Sequence, residues 1–131
     1  MRKIKFGIIG CGRISFRHIE ALVDNNSEAK LVGICDIIPE KMDNTIEYYN
    51  MLNRNRGYKE IEDIKKYWDY KEMLVSSEID AVIITTDSGC HAKHSIDCLK
   101  SRKHVLVEKP MALSIKDADE MIRVSKENKV K

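Results

Sequence analysis

Near the start of the chain an apolar run, Ile4-Lys5-Phe6-Gly7-Ile8-Ile9, ends abruptly in Gly10-Cys11-Gly12-Arg13-Ile14-Ser15. Ile14, His18, Ala21 and Leu22 then recur at the spacing of one helical face. A strand that turns at once into a helix leaves little room for side chains at the turn. Gly10 permits the tight turn, Gly12 lets the backbone approach a pyrophosphate, and Ser15 is small enough for the helix to pack closely on the strand. The helix N-terminus adds free N–H donors and the positive end of a dipole. In this strand–turn–helix context a G-x-G-x-x-small pattern marks a dinucleotide site. Methyltransferases use a similar turn for another ligand, so the remaining residues have to separate the two.

The rest of the chain alternates strand and helix patterns. Asn25-Asn26-Ser27 marks a loop, and Ala29 to Cys35 is an apolar run closing at Asp36. Pro39 suits the first turn of a second helix through Met42, Ile46, Tyr49 and Leu52, broken by Asn53-Arg54-Asn55-Arg56-Gly57. Tyr58 to Lys66 reads as a charged surface excursion with room for one short helix, and Tyr67-Trp68 as a short edge strand. Asp69, with Glu72 three residues on, starts a brief helix at capping-box spacing. Asp80 to Thr85 is a continuous β-branched run of the kind found in central parallel strands. A helix with Ala92, Ser95, Ile96 and Leu99 on one face follows, beginning near Asp87 or Ser88. Lys103 to Val107 is the next strand, and Ser114 with Asp117 caps a last helix. This alternation predicts an α/β fold, a doubly wound parallel sheet of the Rossmann type with helices on both faces and strand order 3-2-1-4-5.

With 131 residues the chain has the size of one domain. A 43% hydrophobic and 34% charged composition is that of a globular protein rather than a disordered one. The net charge of +2, without a sustained basic block, argues against a nucleic-acid partner. No apolar run reaches a membrane span, and the apolar stretch after Arg2, Lys3 and Lys5 is too short for a signal peptide. Cys11, Cys35, Cys90 and Cys98 stand singly, which predicts reduced thiols and a cytoplasmic location. No spacing of His, Cys and carboxylates suggests a metal site.

Two further clusters sit where such a sheet keeps its ligands, at the carboxyl ends of the strands. Asp36 closes the second strand, where a carboxylate accepts hydrogen bonds from the adenosine ribose hydroxyls. It would repel the additional phosphate of NADP, and neither Ile37 nor Ile38 supplies a compensating cation, so NAD is preferred. An aspartate that merely initiates the following helix is the plainer reading of the same residue. Glu108-Lys109-Pro110 closes a later strand. Oxidising an alcohol by hydride transfer needs a base for the hydroxyl proton, and a lysine whose pKa is lowered by desolvation or a nearby cation can serve. His91, at the start of a helix, either reaches the nicotinamide side or decorates the first turn. His18 lies on an apolar helical face and reads as a packing histidine, while His94 and His104 have no assigned role.

Taken together these residues resemble the Gfo/Idh/MocA family of oxidoreductases. The glycine turn with His18 and Ala21-Leu22 behind it, Asp36, and the run Lys103-His104-Val105-Leu106-Val107-Glu108-Lys109-Pro110 follow in the family's order over essentially the whole chain. The resemblance implies that Lys109 is the active-site lysine, that Glu108 lies near the nicotinamide ribose, and that Pro110 follows a cis bond. His91 matches the histidine of the family's Thr-Pro-Asn-x-x-His segment, although Thr86 and Asp87 replace its proline and asparagine. The expected cofactor contacts are then Gly10, Gly12, Arg13, Ile14, Asp36, Thr85, His91, Glu108 and Pro110, with Lys109 catalytic. Residues 1–131 are expected to be the dinucleotide-binding domain alone, cut before its last strand and without the second, substrate-binding domain of the family. The implied enzyme is a homo-oligomer that oxidises a sugar, polyol or nucleotide sugar, and this piece alone is expected to bind NAD without turnover. A non-catalytic NAD(H)-sensing module is the alternative.

Overall fold

The computed structural model describes residues 2–131. Five strands, β1 (Ile4–Ile9), β2 (Ala29–Cys35), β3 (Lys65–Tyr67), β4 (Ala81–Ile84) and β5 (His104–Val107), form one sheet in the order β3-β2-β1-β4-β5. Every neighbouring pair is parallel. The connecting helices are α1 (Ser15–Asp24), α2 (Pro39–Asn55), α3 (Tyr70–Leu74), α4 (His91–Lys100) and α5 (Ile115–Asn128), with a 3₁₀ turn at Ser88–Cys90 leading into α4. The expected doubly wound architecture and strand order are both present.

The strands alternate sides, so each face of the sheet has its own core. Ile8, Leu31, Ile34 and Ile83 face α1 and α2, where they meet Ile19, Val23, Met42 and Tyr49. Ile9, Cys35, Val82 and Ile84 face α3 and α4, where they meet Met73, Leu74 and Cys98. α5 packs outside α4 through Met121 and Val124. One irregularity interrupts the β1–β2 ladder: the register slips between Phe6 and Gly7, and the Leu31 N–H is taken up instead by the Tyr49 hydroxyl (3.2 Å). A buried amide is thereby kept from being orphaned.

Local chemistry sets the helix ends. Pro39 opens α2, where its missing N–H costs nothing. Asp69 caps α3 by accepting from the Lys71 N–H (2.9 Å), and the Ser114 hydroxyl caps α5 by accepting from the Asp117 N–H (3.1 Å). The excursion after α2 departs from expectation. α2 runs on to Asn55, and no helix forms between Gly57 and Ile64. The Asn50 side chain pins this strap by exchanging two hydrogen bonds with the Ile61 backbone, both 2.9 Å. Ile61 and Ile64 reach into the α1/α2 core, so the strap is only partly a surface feature. In place of a short helix, an extended strap held by a side-chain clamp presents these two residues.

Gly10 sets the geometry at the top of the sheet. Its φ is +95°, in the region open mainly to glycine, and a Cβ there would stand 2.8 Å from the Thr85 carbonyl carbon and oxygen. Backbone strain and a backbone clash therefore act together. Gly10→Ala is expected to lower the unfolding free energy by about 2–4 kcal/mol. Urea denaturation followed by circular dichroism measures this, and a loss below about 1 kcal/mol would show that the strand ends are not so tightly opposed.

Candidate functional site

A cleft of about 510 Å³ opens at the carboxyl ends of β1, β2, β3 and β4. Its floor is the turn from Ile9 to Gly12. One wall is Cys35 to Ile38 with Lys41, a second is Trp68, Asp69 and Tyr70, and the third is Thr85 to Asp87 with Cys90 and His94. This volume lies within the ordinary range for small-molecule sites.

The turn is built to leave space. Beside Gly12 a Cβ would meet nothing within 4 Å, in contrast to the crowding at Gly10. α1 begins immediately after it with no capping side chain and no acidic residue in its first turn. The positive end of that helix is thus left for an anion from outside. Ser15 is fully buried, and its hydroxyl donates to the Gly12 carbonyl (2.6 Å), which secures the turn from behind. Arg13 and Ile14 are exposed on the turn leading into α1 and do not line the cleft.

Asp36 closes β2 and opens the way into α2. Its Oδ2 accepts from the Cys11 N–H (2.8 Å), tying β2 to the glycine turn, and its Oδ1 accepts from the Ile38 N–H (2.9 Å) at the entrance to α2. An ionised carboxylate has about four acceptor positions, so each oxygen keeps capacity for a ribose hydroxyl. Cys11 and Cys35 sit just below. Burial, followed by the nearby Asp36 carboxylate, pushes both thiols up to about 12. They are filler rather than nucleophiles. Thr85 is buried, and its hydroxyl reaches the carbonyls of Gly10 (2.5 Å) and Ile9 (3.3 Å), joining β1 to β4 across the cleft floor.

The structure places His91 between two loops. It is 2% exposed, with Nδ1 2.7 Å from the Pro110 carbonyl oxygen and Nε2 2.8 Å from the Thr86 carbonyl oxygen. Each ring nitrogen thus faces a backbone carbonyl. His91 is a rivet between the loop after β4 and the loop after β5. His18 differs from its reading as plain packing, because its Nε2 stands 3.0 Å from Glu108 Oε1. The other Glu108 oxygen accepts from the Lys109 N–H (3.1 Å). The His18 contact, followed by that backbone bond, holds the Glu108 carboxyl below its usual range. Glu108, exposed Lys109 and Pro110 follow β5 outside the cleft walls, and the Lys109–Pro110 bond is cis as the resemblance implied.

The structure thus gathers Gly10, Gly12, Asp36 and Thr85 around one cleft. It places Lys109 beyond it on the neighbouring edge strand, held from α1 by His18 and from α4 by His91. Sequence reasoning missed Lys41, Trp68, Asp69, Tyr70 and His94. The signal was available, because ligands collect at strand carboxyl ends and Tyr67-Trp68 reads as an edge strand that closes at Asp69. His94 Nδ1 is 2.9 Å from the Thr86 hydroxyl and its ring stands edge-on to Tyr70, with centroids 4.4 Å apart. Burial is the main influence on its pKa, which is lowered. Among the described residues no group of three His, Cys, Asp or Glu is placed to hold a metal ion, and no helix is long and apolar enough to cross a membrane.

Comparison with known proteins matches residues 4–131 to the model of an oxidoreductase family with an NAD-binding Rossmann fold. The chain is 32% identical over 125 residues to a myo-inositol 2-dehydrogenase of Thermotoga maritima, covering 94% of this chain and 33% of that protein. Among solved structures it is similar to the WlbA dehydrogenase from Bordetella pertussis in complex with NADH and UDP-GlcNAcA (TM-score 0.79, 33% identity, 99% of this chain and 35% of that one). It is also similar to scyllo-inositol dehydrogenase from Lactobacillus casei with bound NAD(H) and scyllo-inositol (TM-score 0.76, 27% identity, 99% and 35%). The chain spans about a third of the length of these relatives. A doubly wound sheet, a glycine turn open toward an uncapped helix and an aspartate closing β2 agree with that match, and the chain belongs to the Gfo/Idh/MocA oxidoreductase family as an NAD-binding Rossmann domain.

Proposed function

We propose that this domain holds NAD(H) for a dehydrogenase acting on a hydroxyl-bearing carbon of a sugar, polyol or nucleotide sugar. The observation that carries the cofactor side of this reading is the joint geometry of Gly12, α1 and Asp36. Open space at Gly12 meets an uncapped helix N-terminus, and a carboxylate fixed by the Cys11 N–H stands beside it. A pyrophosphate fits the first pair and a ribose the second. Ile37, Ile38 and Trp68 add apolar surface to the same cleft, suited to a flat base. The substrate side rests on the relatives, whose names include inositol dehydrogenases and a dehydrogenase complexed with a UDP-sugar.

When bound, the nicotinamide supplies the hydride acceptor. The chain's own residues have three tasks in this reading. Gly12 to Ile14, at the entrance to α1, bind the phosphates through backbone N–H groups, since the Gly10 and Cys11 N–H groups are taken by the Cys35 carbonyl and Asp36. Asp36 orients the adenosine ribose and disfavours a phosphate on it. Lys109 takes the proton from the substrate hydroxyl, with its backbone set by the Glu108 carboxylate, the cis Pro110 and the histidines behind them. A carbon that loses hydride to the nicotinamide and a proton from its hydroxyl becomes a carbonyl, so electrons and protons balance between cofactor and lysine.

Calorimetric titration of the chain with NADH, NADPH and S-adenosylmethionine in parallel tests the cofactor reading. NADH is expected to bind, NADPH to bind more weakly and S-adenosylmethionine not at all, and Gly12→Val is expected to abolish the NADH signal. Binding of S-adenosylmethionine in place of NADH would overturn it. In an enzyme that joins this domain to a substrate domain, Lys109→Ala is expected to lower kcat by about 10²–10⁴-fold while NAD affinity stays within a few fold. Turnover at the wild-type rate would remove the lysine from proton transfer.

A further inference from the structure

In the proposed NAD site one carboxylate, Asp36, decides between NAD and NADP. The cleft contains a second one in a corresponding position. Cys35 and Tyr67 are register partners at the ends of β2 and β3, and the Asp36 N–H donates to the Tyr67 carbonyl (3.3 Å). Adjacent strands lie about 4.8 Å apart, so Asp69, two residues past Tyr67, closes the strand next to the one that Asp36 closes. Both residues line the cleft.

Asp69 is also fixed in place. Its Oδ1 accepts from the Lys71 N–H (2.9 Å) as the cap of α3, which holds the exposed carboxylate at the rim of the cleft. The charge around it does not cancel. Among the cleft-lining residues, Asp36, Asp69 and Asp87 carry carboxylates, and Lys41 supplies the one ammonium. Burial lowers the pKa of His94, so it does not add a second cation. Glu40 and Glu72, in the first turns of α2 and α3, add further negative charge, which Lys71 in α3 offsets in part.

We propose that Asp69 is a second determinant of cofactor choice, acting with Asp36 to exclude a phosphate on the adenosine ribose. The inference rests on the NAD(H) reading above and extends it. A group bound at Asp36 lies within about one Debye length (roughly 8–10 Å) of the Asp69 carboxylate. A ribose phosphate brings nearly two negative charges into that space, whereas a free hydroxyl brings none and can donate to either carboxylate. Lys41 pulls in the opposite sense. A change at Asp36 alone therefore leaves the second carboxylate opposing NADPH, and a full reversal of preference requires both.

The test is the ratio of NADPH to NADH affinity for the wild-type chain, Asp36→Ser, Asp69→Asn and the double variant, measured calorimetrically at low and at high salt. Asp69→Asn keeps a capping oxygen for the Lys71 N–H and loses only the charge. The ratio is expected to rise by about fivefold in Asp69→Asn at low salt, to rise further in the double variant, and to converge on the wild-type value at high salt. Asp69→Ser, which also keeps a cap, should match Asp69→Asn, and Asp69→Glu, which keeps the charge, should match the wild type. NADH binding with a ratio that is unmoved in Asp69→Asn, or moved equally at both salt concentrations, would overturn the role of Asp69 and leave the cofactor reading standing. Failure of the wild-type chain to bind either dinucleotide would overturn the cofactor reading itself, and the role of Asp69 with it.

Discussion

The site depends on one close approach, the backbone of Gly10 lying against the backbone of Thr85 and Thr86. Because no side chain separates them, the ends of β1 and β4 meet and the Thr85 hydroxyl can reach the Gly10 carbonyl. The chain then leaves β1 at an angle that sends α1 under the sheet and leaves Gly12 facing open space. Asp36 completes the arrangement from the other side, since its bond to the Cys11 N–H draws the end of β2 to the same turn. Three strand ends are thereby locked by backbone geometry and two side chains. What remains between them is a cleft whose donors are backbone amides and whose acceptor is a carboxylate, a combination suited to a pyrophosphate and a ribose.

The second half of the chemistry sits on a less favourable element. Among the described residues β5 is the outermost strand, half-exposed, with Lys131 beside it accepting from the Val105 N–H (2.7 Å). Two histidines constrain the tripeptide that follows it. His18 reaches from α1 to the Glu108 side chain, and His91 reaches from α4 to the Pro110 carbonyl while its other nitrogen meets Thr86. The loops after β4 and β5 are thus coupled, so a change in the Thr86 loop is transmitted to the backbone beside Lys109. Thr86 and Asp87, where the family more often has proline and asparagine, stand at this coupling point, and Thr86 gains a partner in His94 that proline would not offer.

Much of the fold was legible because local and global signals agreed. Continuous β-branched runs such as Ala81–Ile84 belong to a central parallel strand, Pro39 and Ser114 mark helix starts, and the glycine turn fixes which strand is first in a doubly wound order. The strap from Gly57 to Ile64 was misread because a side-chain clamp, Asn50 on the Ile61 backbone, leaves no periodic trace in the sequence. The partners of His91 and His18 are hidden in the sequence for a related reason. Spacing places a histidine on a helix face but says nothing of which carbonyl or carboxylate stands opposite, and those partners lie 19 and 90 positions away. Asp69 reads from the sequence as a helix cap alone, because capping spacing carries no sign that the same carboxylate also lines a cleft.

The central claim is that the cleft at Gly10, Gly12 and Asp36 is where the dinucleotide lies. Backbone amide chemical-shift mapping during an NADH titration addresses it residue by residue. The account predicts the largest changes at Cys11 to Ile14, at Asp36 to Ile38 and at Thr85 to Asp87, with Asn50 and the Ile61 strap unmoved. Changes confined to the opposite, amino end of the sheet, or none at NADH concentrations that saturate the related dehydrogenases, would contradict it.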